Sequence, residues 1–173
     1  MAWTAMFQPD QTVEVACRVN RDSIVILSAI RYLWEMCPEH IRGDIKVMNK
    51  REICFSNGSS ITAAQASLLV PHAIKPSLLY CDEMAYIDEA VVDNFQDHLP
   101  AVVATPGRII ISSTWNPNAR AFTSMWKDAI AGKNGFVGFT IPWDAHPQRN
   151  EEWKKEQIQR IGVESFEREY LYV

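Results

Sequence analysis

The sequence predicts an α/β fold with a mainly parallel sheet flanked by helices and a β-hairpin inserted into it. Three observations point there. Short apolar runs with almost no polar face recur at 77–81, 108–113 and 135–143. Amphipathic stretches of helical length separate them. An Asn-Gly pair sits between two β-rich runs near residue 57, the strongest short signal for a hairpin. Apolar runs alternating with helical crossovers argue for parallel strands.

Taken in order, "TVEVACRV" at 12–19 reads as a strand. "RDSIVILSAIRYLWEM" at 21–36 reads as a helix with Ile26, Ile30, Leu33 and Trp34 on its core face, stopped by Pro38. "DIKVM", "REICFS" and "SSITAA" make an antiparallel insertion over 45–63 that turns at Asn57-Gly58. "SLLYC" at 77–81 is a short buried strand, and "DEAVVDNFQDHL" at 88–99 is a helix capped by Asp88 with Glu89 in its first turn. "RIIISS" at 108–113 reads as buried because three successive isoleucines leave no polar side. A helix over 118–132 ends on a glycine. "GFVGFTIPW" at 135–143 reads as a third core strand, and the tail as one or two helices broken near Gly162. No interdomain linker is evident, so 1–173 reads as one domain.

Composition narrows the function classes. At 173 residues, with 47% hydrophobic and 22% charged residues, the chain suits a soluble domain with a sizeable core. Net charge −4 gives the chain no overall electrostatic footprint for nucleic acid, so a DNA partner needs a local basic patch or a larger assembly. Cysteines at 17, 37, 54 and 81 form no C-x-x-C pair and read as reduced thiols. No signal peptide is read at the start, and no apolar run approaches the length of a membrane span. His40, His72, His98 and His146 lack ligand spacing and read as surface or cap residues. Trp34 and Trp126 read as packing residues, and "KKEQIQR" at 154–160 as a solvated helix face.

The chemistry concentrates at two strand ends. Asp82 and Glu83 follow "LLYC" side by side, where a parallel sheet places its ligands. Such a pair can hold a divalent cation and accept a proton from water; the plain alternative is a turn or helix cap. About 30 residues on, "RIIISSTWNPN" ends its apolar run in Ser112, Ser113 and Thr114, then Trp115, Asn116 and Asn118. Hydroxyls at that end would line the same crevice, where they can hydrogen-bond a phosphate or the attacking water. Here the plain alternative is a Ser/Thr-rich turn stopped by Asn-Pro. Trp115 can flank a nucleotide base or simply pack.

With these residues in view, the chain resembles the ATPase domain of the large terminase subunits of tailed bacteriophages. "FSNGSSI" is similar to that family's hairpin, "LLYCDEMAYID" to its Walker B strand and "IIISSTWNPN" to its coupling motif. "IPWDAHP", Trp153 and "FEREY" are similar to the segment that closes the domain. The resemblance implies a P-loop NTPase-like (RecA-like) sheet and ATP hydrolysis coupled to movement of double-stranded DNA. It casts Asp82 as the acid holding Mg²⁺ through water, Glu83 as general base, and Ser112, Ser113 and Thr114 as the phosphate-sensing coupling residues. Trp115 and Asn116 would lie near the nucleotide. ATP and Mg²⁺ are the implied ligands. Double-stranded DNA, the portal protein, the small terminase subunit and other large-subunit copies are the implied partners, with no membrane, in the host cytoplasm.

Three departures qualify the resemblance. No Gly-x-x-x-x-Gly-Lys-Ser/Thr loop is present; Gly132-Lys133 is followed by Asn134. The sequence therefore reads as truncated or split before Met1, with the sheet incomplete and the 108–112 strand left at an open edge. His72-Ala73 stands where the family usually has an Arg-Gly pair, and no nuclease domain follows. The chain alone is expected to bind ATP weakly and not to turn it over. A helicase-type ATPase fragment, or a non-catalytic module binding motor or portal subunits, are the rival readings.

Overall fold

A strand in the interior must pair its backbone N–H and C=O groups along both edges, and the segment "TVEVAC" does so. It forms β1, Thr12–Cys17, parallel to β4, Ser60–Gln65, on one side and to β5, Leu78–Asp82, on the other. The computed structural model describes residues 1–66, 76–103 and 107–171. Two antiparallel strands, β2 (Ile45–Met48) and β3 (Glu52–Phe55), extend the sheet beyond β4. On the far side β6, Arg108–Ile111, runs parallel to β5. The order is β2-β3-β4-β1-β5-β6, a mixed, open sheet.

One sequence expectation is extended here and another changes. The 45–63 segment is antiparallel within itself, as expected, and its last arm, β4, also pairs in parallel with β1 (Val13 beside Ile61). The β6 run is not fully buried: Arg108 is exposed and Ile110 is 49% exposed. Its place at the sheet edge is the reason, as an edge strand has a neighbour on one side only.

Among the described residues, three α-helices accompany this sheet: α1 (Ala2–Phe7), α2 (Asn20–Met36) and α3 (Glu89–Val103). α2 packs on β1 and β4 through Leu27 and Ile30. The predicted face was right at Ile30 and wrong at Leu33, which is 60% exposed. The helix turns its Ser23-Leu27-Ile30 stripe inward, which rotates Leu33 to solvent. Trp34 packs at the margin of the core, donates its indole N–H to the Gly43 carbonyl (2.8 Å) and lies under the Arg42 guanidinium. Asp88 caps α3, its carboxylate accepting from the Ala90 amide at 2.9 Å.

The Asn57-Gly58 turn joins β3 to β4 as predicted. Gly58 has φ +88°, a conformation open to glycine. The Asn57 amide reaches back to the end of α1 and donates to the carbonyls of Ala5 (2.9 Å), Met6 (3.3 Å) and Gln8 (3.2 Å). Ser59 Oγ donates to the same Gln8 carbonyl at 2.7 Å.

By contact density the chain divides into Met1–Ser112 and Ser113–Val173. The second unit holds α4 (Arg120–Ile130), α5 (Glu151–Ile161) and α6 (Val163–Tyr170). Gly162, at φ +82°, separates the last two, as the sequence suggests. Phe166 is buried among Trp143, Trp153 and Tyr170, and the two indoles stack at 5.8 Å. The predicted third core strand at 135–143 does not form. Residues 136–142 are irregular, with Val137 92% and Phe139 79% exposed. A strand needs a ladder, and the described elements of this unit are helical, so the apolar run has none to join. Gly138 instead passes over Ile130 and Trp126 of α4.

Candidate active site

Alternation along β5 sets the site. Leu78, Tyr80 and Asp82 share one face, Leu79 and Cys81 the other. Leu78 and Tyr80 anchor their face on the core, so Asp82 is the point at which that face reaches the carboxyl edge of the sheet. β6 runs beside β5 with Tyr80 opposite Ile110 and Cys81 opposite Ile111, which makes Ser112 the next neighbour of Asp82. The backbone fixes this register: the Ser112 amide donates to the Cys81 carbonyl at 2.9 Å, and the Met84 amide to the Ser112 carbonyl at 3.1 Å.

Side chains complete it. Ser112 Oγ donates to Asp82 Oδ1 at 2.6 Å, a short charge-assisted bond. The Tyr80 hydroxyl donates to the same oxygen at 3.0 Å and lies 2.9 Å from Ser112 Oγ. On the other side of β5, Cys17 of β1 stands opposite Asp82. Its thiol is pushed up to about 12, first by burial and then by the carboxylates of Asp82, Asp22 and Glu83. Burial also raises the Tyr80 phenol, helped by Asp82 and opposed by its bond to Ser112.

Glu83 is exposed and ends the strand in the left-handed region, at φ 53° and ψ 45°. Asp10 also has a positive φ, 54°, but aspartate visits that half of backbone space more readily than glutamate does. A 3-10 turn, Met84–Tyr86, follows at once and leads to α3.

Among the predicted site residues, the structure joins Asp82 with Ser112 and sets Glu83 next in the chain. Ser113, Thr114, Trp115 and Asn116 are half-buried and belong to the second unit. There the Asn116 side-chain carbonyl accepts from the Asn118 amide at 3.1 Å, forming the turn that precedes α4. His40 and His146 are exposed, and His146 Nδ1 accepts from the Gln148 amide. His72-Ala73 and the His98 side chain lie outside the described residues. Sequence reasoning passed over Tyr80, Cys17 and Asp22. Tyr80 carried a usable signal, since two residues apart on a strand places it on the face of Asp82.

Asp82 and the hydroxyls beside it are hard oxygen donors at the carboxyl ends of parallel strands, a donor set that suits Mg²⁺ held through water. A cavity of about 170 Å³ lies elsewhere, at the amino ends of β5 and β6, between Ser77, Leu78, Arg108 and Ile110 and, at the start of the chain, Met1 and Thr4.

Sheet order and flanking helices together define an open, mixed α/β fold of the RecA-like kind. No family model matches the sequence. Among solved structures, the chain is similar to the large terminase of bacteriophage HK97, at 15% identity and TM-score 0.67, over 96% of this chain and 40% of that one. It is similar to the ATPase domain of the Thermus phage P74-26 large terminase, at 17% identity and TM-score 0.62, over 98% and 78%. It is also similar to the large terminase of a further thermophilic bacteriophage, solved in complex with ADP, at 11% identity and TM-score 0.70, over 96% and 41%. The chain therefore has the fold of the large-terminase ATPase domain, while spanning about two-fifths of the HK97 protein and of the ADP-bound one. Among the described residues, no helix is long and apolar enough to cross a membrane.

Proposed function

We propose that this chain carries the hydrolytic acids and coupling strand of a phage DNA-packaging ATPase. The observation that carries the reading is the bond between Asp82 at the end of β5 and Ser112 at the end of β6. It links the two strand ends that a nucleotide-driven motor must connect. The fold likeness and the ADP complex of a similar protein support nucleotide as the ligand.

In this reading Asp82 holds Mg²⁺ through its water shell, and Glu83 accepts the proton of the attacking water. That water adds to the terminal phosphorus while the bond to the ADP oxygen breaks, and Glu83 keeps the proton until phosphate leaves. Mg²⁺, when bound, supplies positive charge to the phosphate oxygens. Exposure of Glu83 gives water access to its carboxylate, and the left-handed turn fixes where that carboxylate starts. Ser112, Ser113 and Thr114 pass the state of the site to the segment that follows β6. Trp115 and Asn116 lie near the nucleotide in the assembled motor. Double-stranded DNA, the portal, the small terminase subunit and further large-subunit copies are its partners, in the host cytoplasm.

The test is Glu83→Gln in the complete packaging ATPase. Removal of a general base lowers kcat by about 10²–10⁴-fold, with nucleotide KM nearly unchanged. Unchanged kcat would remove Glu83 from the mechanism. A second reading, a non-catalytic module, is favoured by the lack of a Gly-Lys-Ser/Thr loop in these 173 residues. Under it, an Asp82→Ala, Glu83→Ala pair leaves DNA packaging intact.

A further inference from the structure

We propose that Tyr80 is a positioning residue that controls where the Ser112 hydroxyl points, and so transmits the state of Asp82 to the end of β6. The proposal rests on Asp82 being the acid that meets a hydrated divalent cation.

Proton counting sets the constraint. Tyr80, Ser112 and Asp82 make three close oxygen contacts, at 3.0, 2.9 and 2.6 Å. Only two hydroxyl protons are available to fill them, because the carboxylate has none to give. With both protons on Asp82 Oδ1, the Tyr80–Ser112 contact is empty. With Tyr80 donating to Ser112 instead, Ser112 keeps a hydrogen bond whether or not its own proton stays on Asp82. The three oxygens therefore have more than one satisfied arrangement on a fixed backbone.

A hydrated cation shifts the choice. Water bound to a divalent ion donates strongly to a carboxylate and competes for Oδ1. Tyr80 can then turn its proton to Ser112 Oγ, and Ser112 is released to donate to a new acceptor, such as a phosphate oxygen, without being left unpartnered. The backbone stays fixed while the hydroxyl turns. Ser112 is tied to Cys81 and Met84 on either side of the acid pair, and the next residue begins the second unit. A phenylalanine at 80 would fill the same space and remove this route.

The experiment is NMR on the 173-residue chain titrated with millimolar Mg²⁺ alone, at fixed neutral pH. The Asp82 carboxyl carbon, the Tyr80 Cζ and the Ser112 amide are followed in wild type, Tyr80→Phe and Asp82→Asn. In wild type all three resonances are expected to move together with one apparent Kd. In Tyr80→Phe the Asp82 shift stays and the Ser112 shift is lost. In Asp82→Asn neither Tyr80 nor Ser112 responds. If Asp82 moves while Tyr80 Cζ is still, or if Ser112 moves fully in Tyr80→Phe, the relay is wrong and the cation reading stands. If Asp82 itself does not respond, the cation reading fails and takes the relay with it. Should Tyr80→Phe lose its native spectrum, the Tyr80 Cζ response in wild type against Asp82→Asn decides alone.

Discussion

Replacing Glu83 by glycine and, separately, by alanine isolates the backbone conformation at the candidate base. Both changes remove the carboxylate together with whatever it touches, so the difference between them reports the backbone alone. Glu83 holds φ 53° and ψ 45°. For a residue with a Cβ that region costs roughly 1–2 kcal/mol, and alanine retains the cost. Glycine escapes it but loses about 0.5–1 kcal/mol to the greater freedom of its unfolded chain. The glycine variant is therefore expected to be more stable than the alanine variant by about 0.5–1 kcal/mol. In urea, with a slope of about 2 kcal/mol/M, that is a midpoint higher by about 0.3–0.5 M at equal slope. Equal midpoints, or a more stable alanine variant, would show that residue 83 is not left-handed in solution. Strain at the candidate base would then be disproved. Neither variant is expected to support hydrolysis in the complete ATPase, so the more stable protein would also be an inactive one.

Three further outcomes follow from burial and geometry. Burial raises the Glu14 carboxyl above 4.5, so the folded chain binds that proton more tightly than the unfolded one does. The resulting penalty is complete above the raised value and gone below about 4.5; Glu14→Gln should raise Tm at neutral pH, and a gain that persists at pH 4 would contradict this. Gly58→Ala places a methyl against the Asp10 carboxylate at φ +88° and should cost more than about 1 kcal/mol, read as a fall in Tm of about 2–4 °C; an unchanged Tm would contradict the turn geometry. Cys37 and Cys54 are half-buried while Cys17 and Cys81 are buried, and burial together with the neighbouring Glu52 pushes the Cys54 thiol up; a thiol reagent should label Cys37 first, Cys54 more slowly and the other two only on unfolding, whereas four equal rates would show the core to be open.

Much of the unit built on the sheet was legible because its signals are local. Asn57-Gly58 announces its turn, Asp88 its cap, and the apolar "LLYC" its strand. What escaped depends on partners. The runs "RIIIS" and "GFVGFTIPW" look alike in composition, yet one becomes an edge strand and the other no strand, since pairing is a property of neighbours. Leu33 sits at helical spacing with Ile26 and Ile30, but the helix rolls toward Ser23, a choice made by the sheet beneath it. At the candidate site, Asp82 and Ser112 stood out as polar residues ending apolar runs. Tyr80 did not, because an aromatic residue inside a strand reads as packing until a carboxylate is found on its face.

The reach of Asn57 to the end of α1 has a consequence for folding. A six-residue helix has no stability of its own in water, and its last carbonyls need donors from elsewhere. Here an amide some fifty residues downstream supplies them. Docking of the first helix is thus coupled to closure of the β3–β4 turn, and its amides should lose protection from solvent exchange when that turn is opened, as by Asn57→Ala.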